Sequence, residues 1–436
     1  MPGNDIHFDP PRGMRDFYPE DMDARNAIFG AWTQAALNFG FAQYDACVVE
    51  SLELLKRKSG EEIIDQIYTF KDKSDRDLAL RPEMTPTLAR MIAARQGQLI
   101  FPLKWFAITQ CFRYERTARG RKREHYQWNL DIVGEESLGA EAEILACALA
   151  ALSAMGLGEN DVQVRYNNRA LLADFFIKAD ISRECHQATF LALDKRGKIP
   201  DDEIILLLKQ AGLNAQAVDS VLKIMAVNTL DEARSFLGAE TPALATAAEL
   251  PQRMADYGLA NRLCFDMGVV RGLGYYTGIV FEAYALKYKM RAIFGGGRYD
   301  RLLSDLGGDR ITAVGLGFGD VVITDLLGEA GKIKSLAGTA KIDLAVGFME
   351  EAQRPVAVRI AQAWRFPGRD KKVELGLCPE KAKRFFGRVG KGGVEEAVFL
   401  GPDDIASGNV RVKNLKDRTE RRISLNDLCA VSHPTQ

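Results

Sequence analysis

Residues 110–134, QCFRYERTARGRKREHYQWNLDIVG, carry the chain's densest set of side chains able to grip an anion. Phe112, Arg113, Tyr114, Glu115 and Arg116 lead into a loop, 117–124, that holds Arg119, Arg121, Lys122 and Arg123. An alternating run follows over 126–133, so the pattern predicts strand, basic loop, strand. Successive side chains of a strand point to opposite faces, which puts Gln127, Asn129 and Asp131 together on one of them. Guanidinium forks match phosphate oxygens and stay charged at working pH. Such a hairpin suits a polyphosphate lying beside a small polar molecule. A solvated tip is the commoner use of a charged loop. That use gives no reason for an amide and a carboxylate to share a face next to Tyr126 and Trp128.

Three further segments bear on the same chemistry. Arg81-Pro82-Glu83-Met84-Thr85 lies at a predicted strand-to-helix junction, where Glu83 either receives an ammonium or answers the helix dipole. In Arg271-Gly272-Leu273-Gly274-Tyr275-Tyr276-Thr277-Gly278, glycines flank a tyrosine pair and let backbone approach a ligand. Gly295-Gly296-Gly297-Arg298-Tyr299-Asp300 and Gly315-Leu316-Gly317-Phe318-Gly319 are not phosphate loops of the Walker type, because no Gly-Lys-Ser/Thr follows at that spacing. Gly-x-Gly-x-Gly also lacks the third glycine and the βαβ setting of a dinucleotide site. The glycines there bring backbone close to a flat ligand or to another strand.

The elements that must position these residues follow from periodicity. A helix is expected over 19–39, a strand over 41–50, a helical or irregular segment over 52–64, and a short strand over 66–70. A strand running into a helix is expected over 78–95, with Pro86 near the helix start where its missing N–H costs little. Strands over 105–114 and 126–133 form the hairpin, followed by an apolar helix over 141–155 and a strand over 162–167. From about 171 to 259 the pattern turns helical, as an insertion. Strands are expected again within 265–285 and 291–303. The body, 1–330, is therefore expected to be α+β with a mainly antiparallel sheet. Residues 331–340 resemble a linker, and 341–436 alternate strand and helix as a small α/β domain with a net charge of about +5.

The chain has 436 residues, 47% of them hydrophobic and 27% charged, with a net charge of −1. Nothing in that balance calls for nucleic acid globally, so any RNA contact must use local patches. No apolar run is long enough to span a membrane, and the first residues lack a basic start followed by an apolar stretch. Seven scattered cysteines without a C-x-x-C pair, and four histidines without ligand spacing, argue against a disulfide framework and a zinc site. No metal ligands are expected, and a reducing cytoplasmic setting fits.

These segments together resemble the class II aminoacyl-tRNA synthetases, and among them the histidine-specific family, over nearly the whole chain. Residues 11–17, PRGMRDF, resemble the family's R-G-x-R-D start. Residues 19–50 resemble motif 1, the dimer-forming element, and 112–134 resemble motif 2. RGLGYYTGIVFE, 271–282, resembles the R-G-L-D-Y-Y segment of the histidine enzymes, and 313–319 resemble motif 3. LGPDDIASGNVRVK, 400–413, is similar to part of the family's anticodon-binding domain. The resemblance implies an ATP-dependent ligase that activates histidine and transfers it to tRNA(His), working as a homodimer with Mg2+ accompanying ATP.

It also implies roles. Glu83 and Thr85, with Met84 between them, would hold the histidine amino group, and Gln127 its carboxylate side. Asp131 and Tyr276, with Tyr275, would read the imidazole. Arg113 would grip the α-phosphate, with Glu115 near the adenine amino group and Arg121 at the outer phosphates. Arg271 would be the catalytic arginine. Four positions depart from the pattern. Cys47 stands at the motif 1 proline, Asp131 at a usual glutamate and Gly274 at a usual aspartate. Val322 stands where an arginine normally follows motif 3. A related non-enzymatic protein, the histidine-sensing regulatory subunit of ATP phosphoribosyltransferase, is the alternative. It typically lacks the last domain.

Overall fold

The computed structural model describes residues 8–58, 65–196, 199–271, 275–301, 304, 307–337, 342–365 and 370–430. The chain divides into two compact units, Met1–Leu336 and Ala337–Gln436.

The first unit is built on an eight-stranded sheet in the order β1-β5-β6-β11-β10-β9-β7-β8. Its strands are β1 (Ala42–Gln43), β5 (Leu103–Phe112), β6 (Glu124–Val133), β7 (Val162–Asn168), β8 (Leu263–Phe265), β9 (Ile279–Ala285), β10 (Phe294–Tyr299) and β11 (Ala313–Gly319). Pairing is antiparallel except at the two edges, where β1 joins β5 and β8 joins β7 in parallel. Strands β2 (Val49–Ser51), β3 (Thr69–Lys71) and β4 (Asp77–Leu80) form a separate small sheet. The expected α+β body with a mainly antiparallel sheet is what the structure contains.

Alternation along β6 decides what each face of the sheet does. Trp128, Leu130 and Ile132 enter the main core, where Trp128 stacks on Trp32 of the helix Pro19–Asn38 at 5.8 Å between ring centroids. The helix Gly139–Ala154 is apolar nearly all round and is buried in the same core, as expected of a helix with no polar face. Gln127, Asn129 and Asp131 take the other face. That side has its own apolar cluster, in which Leu88, Ala89 and Ile92 of the helix Thr85–Arg95 join Tyr275, Tyr276 and Tyr299.

Several expected elements come out shorter. The strand expected over 41–50 divides into β1 and β2, which join different sheets. Buried Arg81 stabilises the bend between them by donating to the carbonyls of Ala46 at 2.9 Å and Cys47 at 3.3 Å. Acceptors that a ladder would have satisfied are thus met by a side chain. Within 265–285 only β9 is a full strand, and the described residues between Asp266 and Gly278 leave the sheet. The insertion contains six helices among the described residues, from Arg169–Lys178 to Pro242–Asp256. In the segment expected to be a linker, Ile333–Ala337 is helical.

The second unit holds a five-stranded sheet, order β13-β12-β14-β15-β16, made by β12 (Leu344–Phe348), β13 (Val373–Leu375), β14 (Glu396–Leu400), β15 (Asn409–Asn414) and β16 (Glu420–Ser424). The first three run parallel, as α/β alternation predicts. The last two add an antiparallel hairpin.

One buried ion pair ties the strand end of β10 to the core helix. Arg298 donates to Glu141 at 2.5 and 2.6 Å, and also to the carbonyls of Glu135 and Ser137. Glu141 is wholly buried, so losing one partner strands a charge. Arg298→Met should lower stability of the first unit by about 3–5 kcal/mol in denaturant titration, and Arg298→Met/Glu141→Leu should recover much of it. A single mutant as stable as wild type would contradict this account.

Candidate active site

Three elements converge above the polar face of the sheet: the β4-to-helix junction at Arg81–Thr85, the hairpin β5–β6, and the turn before β9. The glycines of β10 and β11 form the floor. A Cβ on Gly315 would stand 2.1 Å from Asp131 Oδ1, and one on Gly317 would stand 2.4 Å from Gln127 Nε2. On β10, a Cβ at Gly295 would meet Arg271 Nη1 at 2.3 Å, and one at Gly297 would meet Tyr276 Cδ1 at 3.0 Å. Each of these glycines makes room for a side chain singled out in the sequence. Gly296 serves close strand approach, since a Cβ there would meet the Gly315 carbonyl at 2.1 Å, and so in part does Gly297, whose Cβ would meet the Ile279 carbonyl at 2.6 Å.

Asp131 is buried, and its Oδ1 accepts from the Tyr299 hydroxyl at 2.7 Å. Its Oδ2 is also buried and has no hydrogen-bond partner among the described residues. Desolvation pushes the carboxyl up to about 7, while the Tyr299 hydrogen bond pulls the other way. An unsatisfied buried acceptor is costly in a protein interior and marks a place for a donor. The Tyr44 hydroxyl is buried and unpartnered as well, and the Asp131 charge raises its proton affinity in addition to burial.

Tyr275 and Tyr276 pack with ring centroids 4.9 Å apart, and Tyr275 meets Tyr299 at 5.8 Å. The Tyr275 hydroxyl donates to buried Glu83 at 3.2 Å, and Thr85 is a further hydrogen-bond partner of that hydroxyl. Glu83, Thr85, Tyr275 and Tyr276 therefore stand together, with Asp131 reached through Tyr299. Met84 is fully buried, with its sulfur facing Arg81 Nη1 at 3.7 Å. Its side chain underpins the junction.

The cationic half of the site is equally tied down. Arg113 Nε donates to the Pro82 carbonyl at 2.8 Å, linking the hairpin to the Glu83 segment. Arg121 pairs with buried Glu115, which closes the loop on itself. Arg271 Nη1 donates to Glu282 on β9 at 2.8 Å, and Tyr284 donates to the other oxygen of the same carboxylate. The Arg271 Nε is buried without a partner among the described residues. Beneath the hairpin, Arg15 pairs with Glu124 at 2.5 Å and with Asp320 at 3.0 Å, and Asp320 accepts from the Tyr126 N–H at 2.9 Å. His125, in β6, is pushed down to about 3 by desolvation and then by Arg113 and Arg15, so it is a neutral member of this base.

Sequence reasoning did not assign roles to Tyr299, Glu282, Tyr44 or Arg81. Tyr299 stood in a glycine run read for its backbone, and its partner is 168 residues away along the chain. Gly272, Leu273 and Gly274 lie outside the described residues.

The antiparallel sheet, the buried polar groups on one of its faces and the arginines beside them are the arrangement that a class II aminoacyl-tRNA ligase requires. A family model described as histidyl-tRNA synthetase matches residues 13–319. The chain is 39% identical to the chloroplastic/mitochondrial histidine–tRNA ligase of Arabidopsis thaliana, over 97% of this chain and 86% of that one. It is 38% identical to the histidine–tRNA ligase of Opitutus terrae, over 94% of each. In fold it is similar to the histidyl-tRNA synthetase structure from Nostoc sp. PCC 7120, with a TM-score of 0.79 over 97% of this chain and 98% of that one at 22% identity. The chain belongs to the histidyl-tRNA synthetase family, and it is accordingly an ATP-dependent aminoacyl-tRNA ligase.

The raised Asp131 carboxyl has a signed consequence for stability. The folded state holds this proton up to about pH 7, whereas an unfolded aspartate releases it near 3.8. Between those values the native state binds more protons, so stability falls as pH rises, by about 4 kcal/mol in all, and then levels off. Asp131→Asn removes that decline. Melting curves from pH 4 to 8 should show a flatter dependence for the variant, and parallel curves would refute the assignment.

Proposed function

We propose that the two halves of this site carry out histidine activation and that the second unit serves tRNA binding. The observation that carries the reading is Asp131. It presents a buried, unsatisfied carboxylate oxygen next to a tyrosine cluster, on the same hairpin that carries Arg113. An imidazole N–H satisfies that oxygen. A pocket that must hydrogen-bond its ligand rejects apolar analogues strongly, because its own polar groups are otherwise left unpaired.

In this reading Glu83 and Thr85 receive the histidine ammonium, with Met84 packed behind them, and Gln127 lies on the carboxylate side. Asp131, held by Tyr299, reads the imidazole together with Tyr275 and Tyr276. The histidine carboxylate attacks the α-phosphorus of ATP in line, the bond to the pyrophosphate oxygen breaks, and histidyl-adenylate forms. Arg113 and Arg271 stabilise the charge that spreads over the α-phosphate oxygens. Glu115 serves the adenine amino group once Arg121 turns to the outer phosphates. No side-chain nucleophile takes part. The terminal hydroxyl of tRNA(His) then attacks the acyl carbon and AMP leaves.

Glu282, the carboxylate among the phosphate-side arginines, would offer an oxygen donor to the Mg2+ that accompanies ATP, which would supply charge neutralisation on the phosphates. Homodimer formation through the motif 1-like segment is supported by Leu37, Val48 and Val49, large apolar residues exposed in the single chain. Among the described residues no helix is long and apolar enough to cross a membrane, and a cytoplasmic setting suits the free cysteines. The regulatory-subunit alternative has less support, because relatives named as ligases align across 94–97% of this chain, its last domain included.

Histidine-dependent ATP–pyrophosphate exchange tests the first half. Arg271→Ala should reduce exchange on the order of 10²–10³-fold, the effect of losing one preorganised donor, with histidine affinity retained in calorimetry. Unchanged exchange would refute the role. For the second half, a chain ending near Ala337 should keep exchange and charge tRNA poorly, with a shallower salt dependence of tRNA affinity. Charging that survives truncation with the same salt slope would refute RNA binding by the second unit.

A further inference from the structure

Strands β10 and β11 are antiparallel, with Phe294 opposite Phe318. The residues just before Phe294 and just after Phe318 therefore emerge at the same end of the sheet. After Phe318 that end offers no free cation among the described residues. Asp320 is engaged by Tyr126 and Arg15, and Val321 and Val322 are buried. Before Phe294 it offers Arg291, which is exposed. The tip of the basic loop meets both: a Cβ on Gly120 would stand 3.3 Å from Val322 Cγ2 and 3.6 Å from Arg291 Cδ.

The neighbouring guanidiniums are held by protein acceptors. Arg121 has Glu115, Arg113 has the Pro82 carbonyl, and Arg271 has Glu282. Arg291 has no ion pair or hydrogen bond among the described residues. Its proton affinity is lowered, first by loss of surrounding water and then by the facing charge of Arg121, with Arg113 adding to it against Glu115 and Glu282. Arg113, Arg121 and Arg291 thus outnumber the carboxylates Glu115 and Glu282 around one spot. A cation kept among like charges without an acceptor of its own is a place for a multiply charged anion.

We infer that Arg291 binds the outer phosphates of ATP, supplying from the β10 side the guanidinium that the β11 side lacks at Val322. This rests on the reading of the site as one that activates histidine with ATP. Arg291 is a fork of fixed shape, which suits two phosphate oxygens at once, and it lies against the loop tip within reach of the Arg121 charge, so the two would share the β- and γ-phosphates. An exposed side chain at the edge of the site can do this without disturbing the histidine pocket.

The test is steady-state ATP–pyrophosphate exchange on the full chain with Arg291→Ala and Arg291→Lys. Removing a charge-assisted, bidentate contact should raise the KM for ATP about 10- to 100-fold. The lysine variant should fall between, since a point charge keeps attraction and loses the fork. The KM for histidine, the melting temperature and transfer from preformed histidyl-adenylate to tRNA should stay at wild-type values. Unchanged ATP kinetics in Arg291→Ala would overturn the inference. So would a weakened tRNA interaction with normal exchange, which would make Arg291 an RNA contact. A joint rise in both KM values with a lower melting temperature would make it structural, and would equally overturn it. Absence of histidine-dependent exchange in the wild-type chain would instead defeat the underlying reading of the site.

Discussion

The site exists because two adjacent strands present hydrogen where other residues present a side chain. Asp131, Gln127 and Arg271 lie over backbone of β10 or β11 at distances that a methyl group would forbid, and Tyr276 lies nearly as close. The sheet supplies rigidity, and its missing Cβ atoms supply the volume. A loop could give the same volume, but it could not hold a carboxylate and a guanidinium in fixed relation while water is excluded. Glycine weakens a strand in isolation. Here the cost is offset by ladder pairing on both sides, β9 with β10 and β6 with β11, and by the Trp128, Phe294 and Phe318 cluster on the reverse face.

On that floor the charges are sorted. One half is two buried carboxylates, Glu83 and Asp131, among tyrosines, and burial keeps Asp131 reluctant to ionise. The other half is arginine-rich and its carboxylates are all engaged. The first half suits a ligand that brings donors, and the second a ligand that brings negative oxygens. The link between them is Arg113, whose hydrogen bond to Pro82 fixes the hairpin against the segment that carries Glu83. An amino acid and a nucleotide bound to the two halves are thereby set side by side. Effective concentration of that kind supplies much of the rate in a reaction with no protein nucleophile.

The hairpin was legible in the sequence because its signal is local: period-two alternation on either side of a basic run. The face shared by Gln127, Asn129 and Asp131 followed from the same alternation, and the structure places them on one side of β6. The tyrosine pair and Glu83 were legible as chemistry, though their meeting through the Tyr275 hydroxyl spans 192 residues. What local pattern could not give was the partner set. Tyr299 on Asp131 and Glu282 on Arg271 depend on strand order, and strand order is decided by the whole sheet. The strand expected over 41–50 failed for a similar reason. Its bend is stabilised by Arg81, a distant side chain that takes the carbonyls a ladder would have used.

The base of the hairpin shows how the loop is anchored to the sheet. Arg15 joins Glu124 on β6 to Asp320 at the start of the helix Asp320–Glu329, and Asp320 accepts from the Tyr126 backbone. Desolvation lifts the Asp320 carboxyl to about 6, against the pull of Arg15, so the pair remains mostly ionised only while both partners stay in place. A buried pair of this kind adds little net stability, yet it permits one arrangement of three segments and disfavours others. Its position matters more than its strength. The N-terminal segment, the root of β6 and the end of β11 are locked together below the loop. At the loop tip Arg119 is held instead by an exposed pair with Glu329, a contact that adds little stability and exchanges readily, whereas Arg121 keeps the buried Glu115. The sheet therefore fixes the root of the loop, and the exposed arginine at its tip can change partners without disturbing the pairs beneath.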